Sequence, residues 1–152
     1  MRKHLESLGS KVDLPTQPLG PRPKGQKNSR NAPAFDLRTE LYRITGIDWS
    51  QINGIDVLTA QTVISEAGAD WSAFPSQKQF ASWLGLCPTN QQSGKKVPNR
   101  RNRKVVIRAT VAFRNAAMTL LRSHSYLGVQ YRRLRTRLGA PQAISAMARK
   151  LA

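Results

Sequence analysis

From residue 71 to its C-terminal end the chain carries sixteen Lys and Arg and not one Asp or Glu. All eight carboxylates (Glu6, Asp13, Asp36, Glu40, Asp48, Asp56, Glu66 and Asp70) fall in the first seventy residues, where nine cations nearly balance them. A segment with a formal charge of +16 and no counter-charge of its own cannot be held together by internal ion pairs. It has to fold on apolar stripes, and an anionic partner is what relieves its self-repulsion. Over the whole chain the net charge is +17 and the pI near 11.4, so nucleic acid is the expected partner. A membrane surface is the rival for any basic chain, but that would call for bulky apolar residues opposite lysines. Arginine dominates here, and its planar guanidinium suits phosphate better.

With 152 residues, 39% of them hydrophobic, the chain has room for one domain of ordinary size and a modest core. Cys87 is the only cysteine and His4 and His124 the only histidines. No internal disulfide can form and a structural zinc site lacks ligands, so no metal site is expected and a reducing cytoplasm fits. No apolar run of signal-peptide length follows Met1, and the most apolar stretch, Val105 to Phe113, is broken by Arg108. The expectation is a cytoplasmic, nucleoid-associated protein without membrane contact.

Residues 1–34 hold five of the nine prolines together with Gly20, Gly25 and several cations, which reads as a flexible basic arm or connector. Helical periodicity starts at Phe35. Asp36 caps a first helix carrying Leu37, Leu41 and Ile44 and ended by Gly46; Asp56 caps a second with Ala60, Val63, Ile64 and Ala67, stopped by Gly68. Ser76 and Gln79 have the spacing of a capping box, opening a third helix that buries Phe80, Trp83 and Leu84 and ends at Gly85. After a loop from Cys87 to about Asn99, a fourth helix is expected from about Arg101 to Leu121. Val105, Val106, Ala109, Phe113, Ala116, Ala117 and Leu120 gather on one side, with Arg101, Lys104, Arg108, Asn115, Thr119 and Arg122 roughly opposite. Leu127, Tyr131, Leu134 and Leu138 define a fifth helix rich in arginine, stopped by Gly139. A sixth starts at Pro141 with Ala143, Ile144, Met147 and Leu151, and its pattern is still running at Ala152, as in a domain cut short at its end. The fold class is therefore all-α, a compact bundle of about six helices over residues 35–152.

Two segments carry candidate chemistry. Ile52 to Ala60 resembles the hairpin of a helix-hairpin-helix unit, whose backbone amides meet phosphate. Asp56 stands where the second glycine would be and caps the helix itself, so a structural turn is the preferred reading. The second is the loop from Gly85 to Lys96. Taken alone, Ser93-Gly94 is a turn in a solvated basic loop. Its context gives it more interest: Lys95, Lys96, Arg100, Arg101, Arg103 and Lys104 follow within eleven residues, a cluster able to hold a phosphodiester and stabilise charge growing on it during attack. A nucleophilic serine needs a proton acceptor, and this half of the chain offers only His124. The base would come from elsewhere.

From Phe35 onward the chain resembles the C-terminal domain of transposases of the insertion-sequence family one-ten and its relatives one-sixteen and nine-oh-two. The residues that carry the resemblance are Gly46-Ile47-Asp48, Asn53-Gly54-Ile55, Ile64-Ser65-Glu66-Ala67-Gly68, Phe80 through Pro88, Ser93-Gly94-Lys95, Tyr131-Arg132-Arg133-Leu134 and Ala148-Arg149-Lys150-Leu151-Ala152. The resemblance implies a DNA recombinase in which a RuvC-like domain with an Asp-Glu-Asp-Asp metal site is joined to this serine-bearing domain. Ser93 occupies the place of the serine that forms a transient phosphoserine link to DNA, and a structured bridge RNA chooses target and donor. It further implies that the cations after Ser93, together with Arg108, Arg132, Arg133, Arg135 and Arg137, contact nucleic-acid backbone. Magnesium would belong to the RuvC-like domain, and no cofactor is expected within this chain. Those four acids do not occur in these residues, and Lys95 replaces a second glycine common after the Ser-Gly pair.

The leading expectation is thus a DNA-binding transposase domain, a fragment of a full-length insertion-sequence transposase, with Ser93 catalytic, the metal-bearing domain supplied in trans, and a second copy or a partner transposase subunit as its protein partner. Its rival is a non-catalytic module that holds DNA or bridge RNA and competes with an intact transposase. A ribosomal type of RNA-binding protein is disfavoured, since here the arginines sit beside regular apolar stripes rather than in scattered tails. Either nucleic-acid reading requires steep salt dependence. With about five phosphates neutralised, log affinity falls against log salt with a slope near four to five.

Overall fold

The computed structural model describes residues 2–7, 9–12, 18–23, 31, 33–88 and 107–152. Two compact units divide the chain, Met1–Asp70 and Trp71–Ala152. They part at the residue where the carboxylates end, so the division in space is also a division in charge. All regular elements among the described residues are helical, in agreement with the all-α expectation.

The N-terminal unit contains α1 (Arg2–Ser7), α2 (Leu37–Thr45), a 3₁₀ turn (Trp49–Gln51) and α3 (Val57–Ala67). Asp36 caps α2, accepting from the Thr39 amide at 3.5 Å and from its hydroxyl at 2.6 Å, and Asp56 caps α3, accepting from the Thr59 amide at 2.8 Å. Each carboxylate satisfies a donor that a helix start leaves open and lies favourably on the helix dipole. Leu37, Leu41, Ile44, Ile55, Ala60, Val63 and Ile64 are buried, joined by Leu5 and Val12 from the proline-rich region. That region is fastened through α2: Lys11 and Val12 donate their backbone N–H groups to Arg43 O at 2.9 and 3.3 Å, and the Arg43 guanidinium donates to Leu5 O at 2.9 Å.

The C-terminal unit contains α4 (Gln77–Trp83), α5 (Arg108–Thr119), a 3₁₀ turn (Leu120–Arg122), α6 (Tyr126–Leu138) and α7 (Ala140–Leu151). The capping box at α4 is present in both directions between Ser76 and Gln79. Trp71, Phe74, Phe80, Trp83 and Phe113 form one aromatic cluster, with Phe80 and Phe113 edge to face at 6.0 Å between centroids. Phe113 is fully buried, and truncating such a ring to alanine costs about 3–5 kcal/mol. On α5 and α7 the alanines Ala109, Ala116, Ala117, Ala143 and Ala148 are buried, and these small residues let the two helices approach closely.

The fourth expected helix does not run unbroken from Arg101 to Leu121. α5 begins at Arg108, because Ile107 is extended (φ −113°, ψ 134°). Ile107 is β-branched, stiff at χ1 and a poor helix former, which is a physical reason for a boundary there. Arg101 to Val106 themselves lie outside the described residues.

Candidate nucleic-acid interface

The two units handle charge differently. In the N-terminal unit the Arg38 guanidinium grips Asp48 through both of its oxygens, at 3.3 and 2.5 Å, while donating to Ser50 Oγ at 2.9 Å. Asp48 also accepts from Ser50 Oγ at 2.6 Å and from Gln51 Nε2 at 3.0 Å. Burial raises the Asp48 pKa, but the hydrogen bonds from Arg38, Ser50 and Gln51 and the Arg38 charge outweigh it, and the result is lowered from 3.8 to about 2. Arg38 and Gln51 also donate to the carbonyls of Gly20 and Pro21, stitching that segment to the unit. These cations serve the fold. The C-terminal unit has no carboxylate side chain with which to make any such pair.

Ser93, Lys95, Lys96, Arg100, Arg101, Arg103 and Lys104 lie outside the described residues. What the structure defines are the two chain segments that flank them. On the entry side α4 closes in a Schellman turn: Leu86 N–H donates to Ala81 O at 3.0 Å and Gly85 N–H to Ser82 O at 2.9 Å, with Gly85 at φ +66°. Only a left-handed residue makes that pair of bonds, so the sequence needs glycine here. Leu84 and Leu86 are fully buried on either side, which fixes the point where the chain leaves toward Cys87 and Pro88. On the return side Thr110, buried in the first turn of α5, donates its hydroxyl to Leu84 O at 2.7 Å. One side-chain hydrogen bond thus ties the start of α5 to the end of α4, across the base of the segment that contains Ser93.

Arg108 is exposed at the start of α5, on the side that also exposes Val111, Asn115, Met118 and Arg122. His124, the one histidine of this half, is exposed between the 3₁₀ turn and α6. The four arginines of α6 do not act as a set. Arg132 folds back and donates from one nitrogen to Leu121 O and Ser123 O, at 3.1 and 2.8 Å, closing the carbonyls left open by the preceding 3₁₀ turn. Arg133 and Arg137 are exposed and share a stripe of α6 with Tyr126 and Gln130, whereas Arg135 lies about 160° around the helix from them. The guanidinium groups of Arg133, Arg135 and Arg137 have no hydrogen-bond or ion-pair partner among the described residues.

Two features are not given a role by sequence reasoning, the packing of Gly128 and the pairing of Lys78 with Arg149. Gly128 is buried against the 3₁₀ turn, where an added Cβ would stand 2.2 Å from Ser123 O and 2.9 Å from Leu120 O. Lys78 and Arg149 line one groove together, between α4 and α7. The signal for Gly128 was its place inside an otherwise regular helical pattern; for the two cations there was none beyond their presence.

The hairpin between the 3₁₀ turn and α3 is closed by Ile55 N–H donating to Ile52 O at 3.0 Å. Asp56 holds the amide of Thr59, as the carboxylate at this position led us to expect. No three or more His, Cys, Asp or Glu side chains come together to hold a metal ion among the described residues. Magnesium demands oxygen ligands, and the acid-free unit does not fit that requirement. Among the described residues no helix is long and apolar enough to cross a membrane.

Comparison with protein families matches residues 49–132 to the family described as Transposase IS116/IS110/IS902. The matched span is more than half of the chain, running from the 3₁₀ turn through the Ser93 segment to Arg132. No curated protein and no solved structure matches the chain.

Proposed function

Because the chain belongs to the IS116/IS110/IS902 transposase family, we propose that it binds DNA through its acid-free C-terminal unit and offers the Ser93 hydroxyl to a phosphodiester during transposition. The observation that carries this reading is the family match itself, which spans Ser93 and both flanking segments inside a unit of sixteen cations and no acid. In the reaction Ser93 Oγ bonds to phosphorus as the bond from phosphorus to one sugar oxygen breaks, leaving a phosphoserine ester and a freed strand end. The serine proton passes to a base outside the cationic cluster, and the departing oxygen takes up a proton. Attack by the freed or an incoming hydroxyl reverses the step without hydrolysis, so the ester conserves the energy of the broken bond. Lys95, Lys96, Arg100, Arg101, Arg103 and Lys104 supply positive charge where negative charge develops on the non-bridging oxygens. The metal-bearing domain, a structured RNA guide and further copies of the protein are partners on this reading, and its setting is the nucleoid.

Ser93→Ala tests it. In a strand-transfer assay with element-end DNA and a full-length transposase of the family providing the carboxylate site, the variant should lose the covalent protein–DNA adduct and retain DNA affinity. If the wild-type chain gives no serine-linked adduct and Ser93→Ala changes nothing, the chain is a binding module and the catalytic assignment fails. A flat dependence of affinity on salt defeats DNA binding altogether.

A further inference from the structure

An open groove of about 270 Å³ lies between α4 and α7, lined by Gln77, Lys78 and Ala81 on one side and Ala146, Arg149 and Lys150 on the other. Its floor is made of alanine, and its walls carry three cations from two helices that are far apart in sequence. Lys78 and Arg149 are exposed and have no hydrogen-bond or ion-pair partner among the described residues. The volume falls below the roughly 300–1,000 Å³ of pockets that enclose a small molecule, and the groove is open. Such a shape suits a chain laid across it.

Beside the groove, Lys150 donates to Gln130 Oε1 at 2.7 Å and places its ammonium 5.6 Å from the centroid of the Tyr126 ring. Tyr126 is 75% exposed, an unusual position for an aromatic side chain. It begins the stripe of α6 that continues through Gln130 to Arg133 and Arg137. From residue 126 to residue 137 that stripe rises about 16 Å. An aromatic face flanked by cations that track a backbone is the arrangement by which single strands are held, since an unpaired base stacks on the ring while its phosphates meet the charges. A duplex keeps its bases paired and gives Tyr126 nothing to stack on.

We propose that the Lys78–Arg149 groove and the adjoining Tyr126 form a binding site for single-stranded DNA, with the strand continuing along Arg133 and Arg137. This rests on the DNA-binding reading above and adds to it a strandedness and a set of contact residues other than those of the Ser93 segment.

The test uses the full chain and a fluorescent twelve-residue oligothymidylate, with a duplex of equal length and an oligouridylate as companions. The wild-type protein should bind the single-stranded DNA, and the double variant Lys78→Ala/Arg149→Ala should lose about 1.4 from the slope of log affinity against log salt. The charge-preserving pair Lys78→Arg/Arg149→Lys should restore the slope, because the slope counts charges rather than shapes. Tyr126→Ala should weaken binding about tenfold and Tyr126→Phe should not. All these positions are exposed, so helical circular dichroism and thermal midpoint should stay at wild-type values. Binding to duplex with none to oligothymidylate overturns the groove and leaves the proposed function standing; binding to neither overturns both. An unchanged slope in the double variant assigns the strand to another surface, and tighter binding of oligouridylate than of oligothymidylate replaces DNA by RNA as the ligand. Either outcome overturns the proposal as stated.

Discussion

Replacing Arg132 should damage the fold, and replacing Arg133 and Arg137 should damage binding, although all three are arginines within six residues of one helix. Arg132 gives two charge-assisted hydrogen bonds to backbone carbonyls, one of them partly buried. Solvent competes at the exposed bond, so the pair together contributes about 1–2 kcal/mol rather than the larger sum of two buried ones. For a chain of this length that is a fall of about 2–8 °C in thermal midpoint for Arg132→Ala. Arg133→Ala/Arg137→Ala removes two exposed guanidinium groups that hold nothing among the described residues, and the midpoint should move by less than the equivalent of about 0.5 kcal/mol. If these two meet phosphate, the salt slope for oligothymidylate drops by about 1.4 in that double variant. The assays are differential scanning calorimetry and fluorescence anisotropy over 50 to 200 mM salt, conditions in which about five phosphate contacts weaken binding by orders of magnitude. Should Arg132→Ala keep its midpoint and lower the slope, its guanidinium belongs to the nucleic acid and the capping argument is wrong.

Gly128→Ala should destabilise the C-terminal unit by about 1–3 kcal/mol despite the better helix propensity of alanine, since the new Cβ meets backbone oxygens that cannot rotate away; an unchanged urea midpoint would show that the turn can shift. Thr110→Val keeps the shape of the side chain but leaves Leu84 O without the hydroxyl at 2.7 Å, and a loss of about 1–3 kcal/mol in chemical unfolding is expected, a cost that a neutral result would rule out. Asp48 is ionised in the folded chain down to about pH 2 against an ordinary value of 3.8. Its contribution is therefore complete above pH 3.8 and is lost as pH falls through about 2, about 2 kcal/mol in all; Asp48→Asn should remove this part of the acid limb, and identical acid profiles for the two proteins would contradict the network.

What the sequence makes legible here is what is local. Asp36, Asp56 and the Ser76–Gln79 pair announce helix starts because a cap needs only its own first turn, and the structure has those bonds where the residue types call for them. The end of the carboxylates at Asp70 was also legible, and it coincides with the division into two units. The break at Ile107 is not legible from apolar spacing, which treats isoleucine as helix-compatible wherever it recurs, whereas a β-branched side chain also favours an extended backbone. Non-local facts fared worse for a reason of principle. Nothing local to α1 says that Leu5 and Val12 are buried beside α2, since an apolar residue in a proline-rich stretch does not name the element that covers it. Lys78 and Arg149 are seventy-one positions apart, and each alone is one more cation on a solvated helix face; only packing makes them the walls of one groove. The arginines of α6 show the converse. Sequence groups them by type and proximity, yet rotation of about 100° per residue sends Arg132 to the preceding turn, Arg135 to one side and Arg133 and Arg137 to the other. In a unit without carboxylates, a cation is therefore assigned to fold or to ligand by what lies within reach of its donors: Arg132 reaches carbonyls, while Lys78, Arg133, Arg137 and Arg149 reach none among the described residues, and phosphate is the ligand that their charge favours.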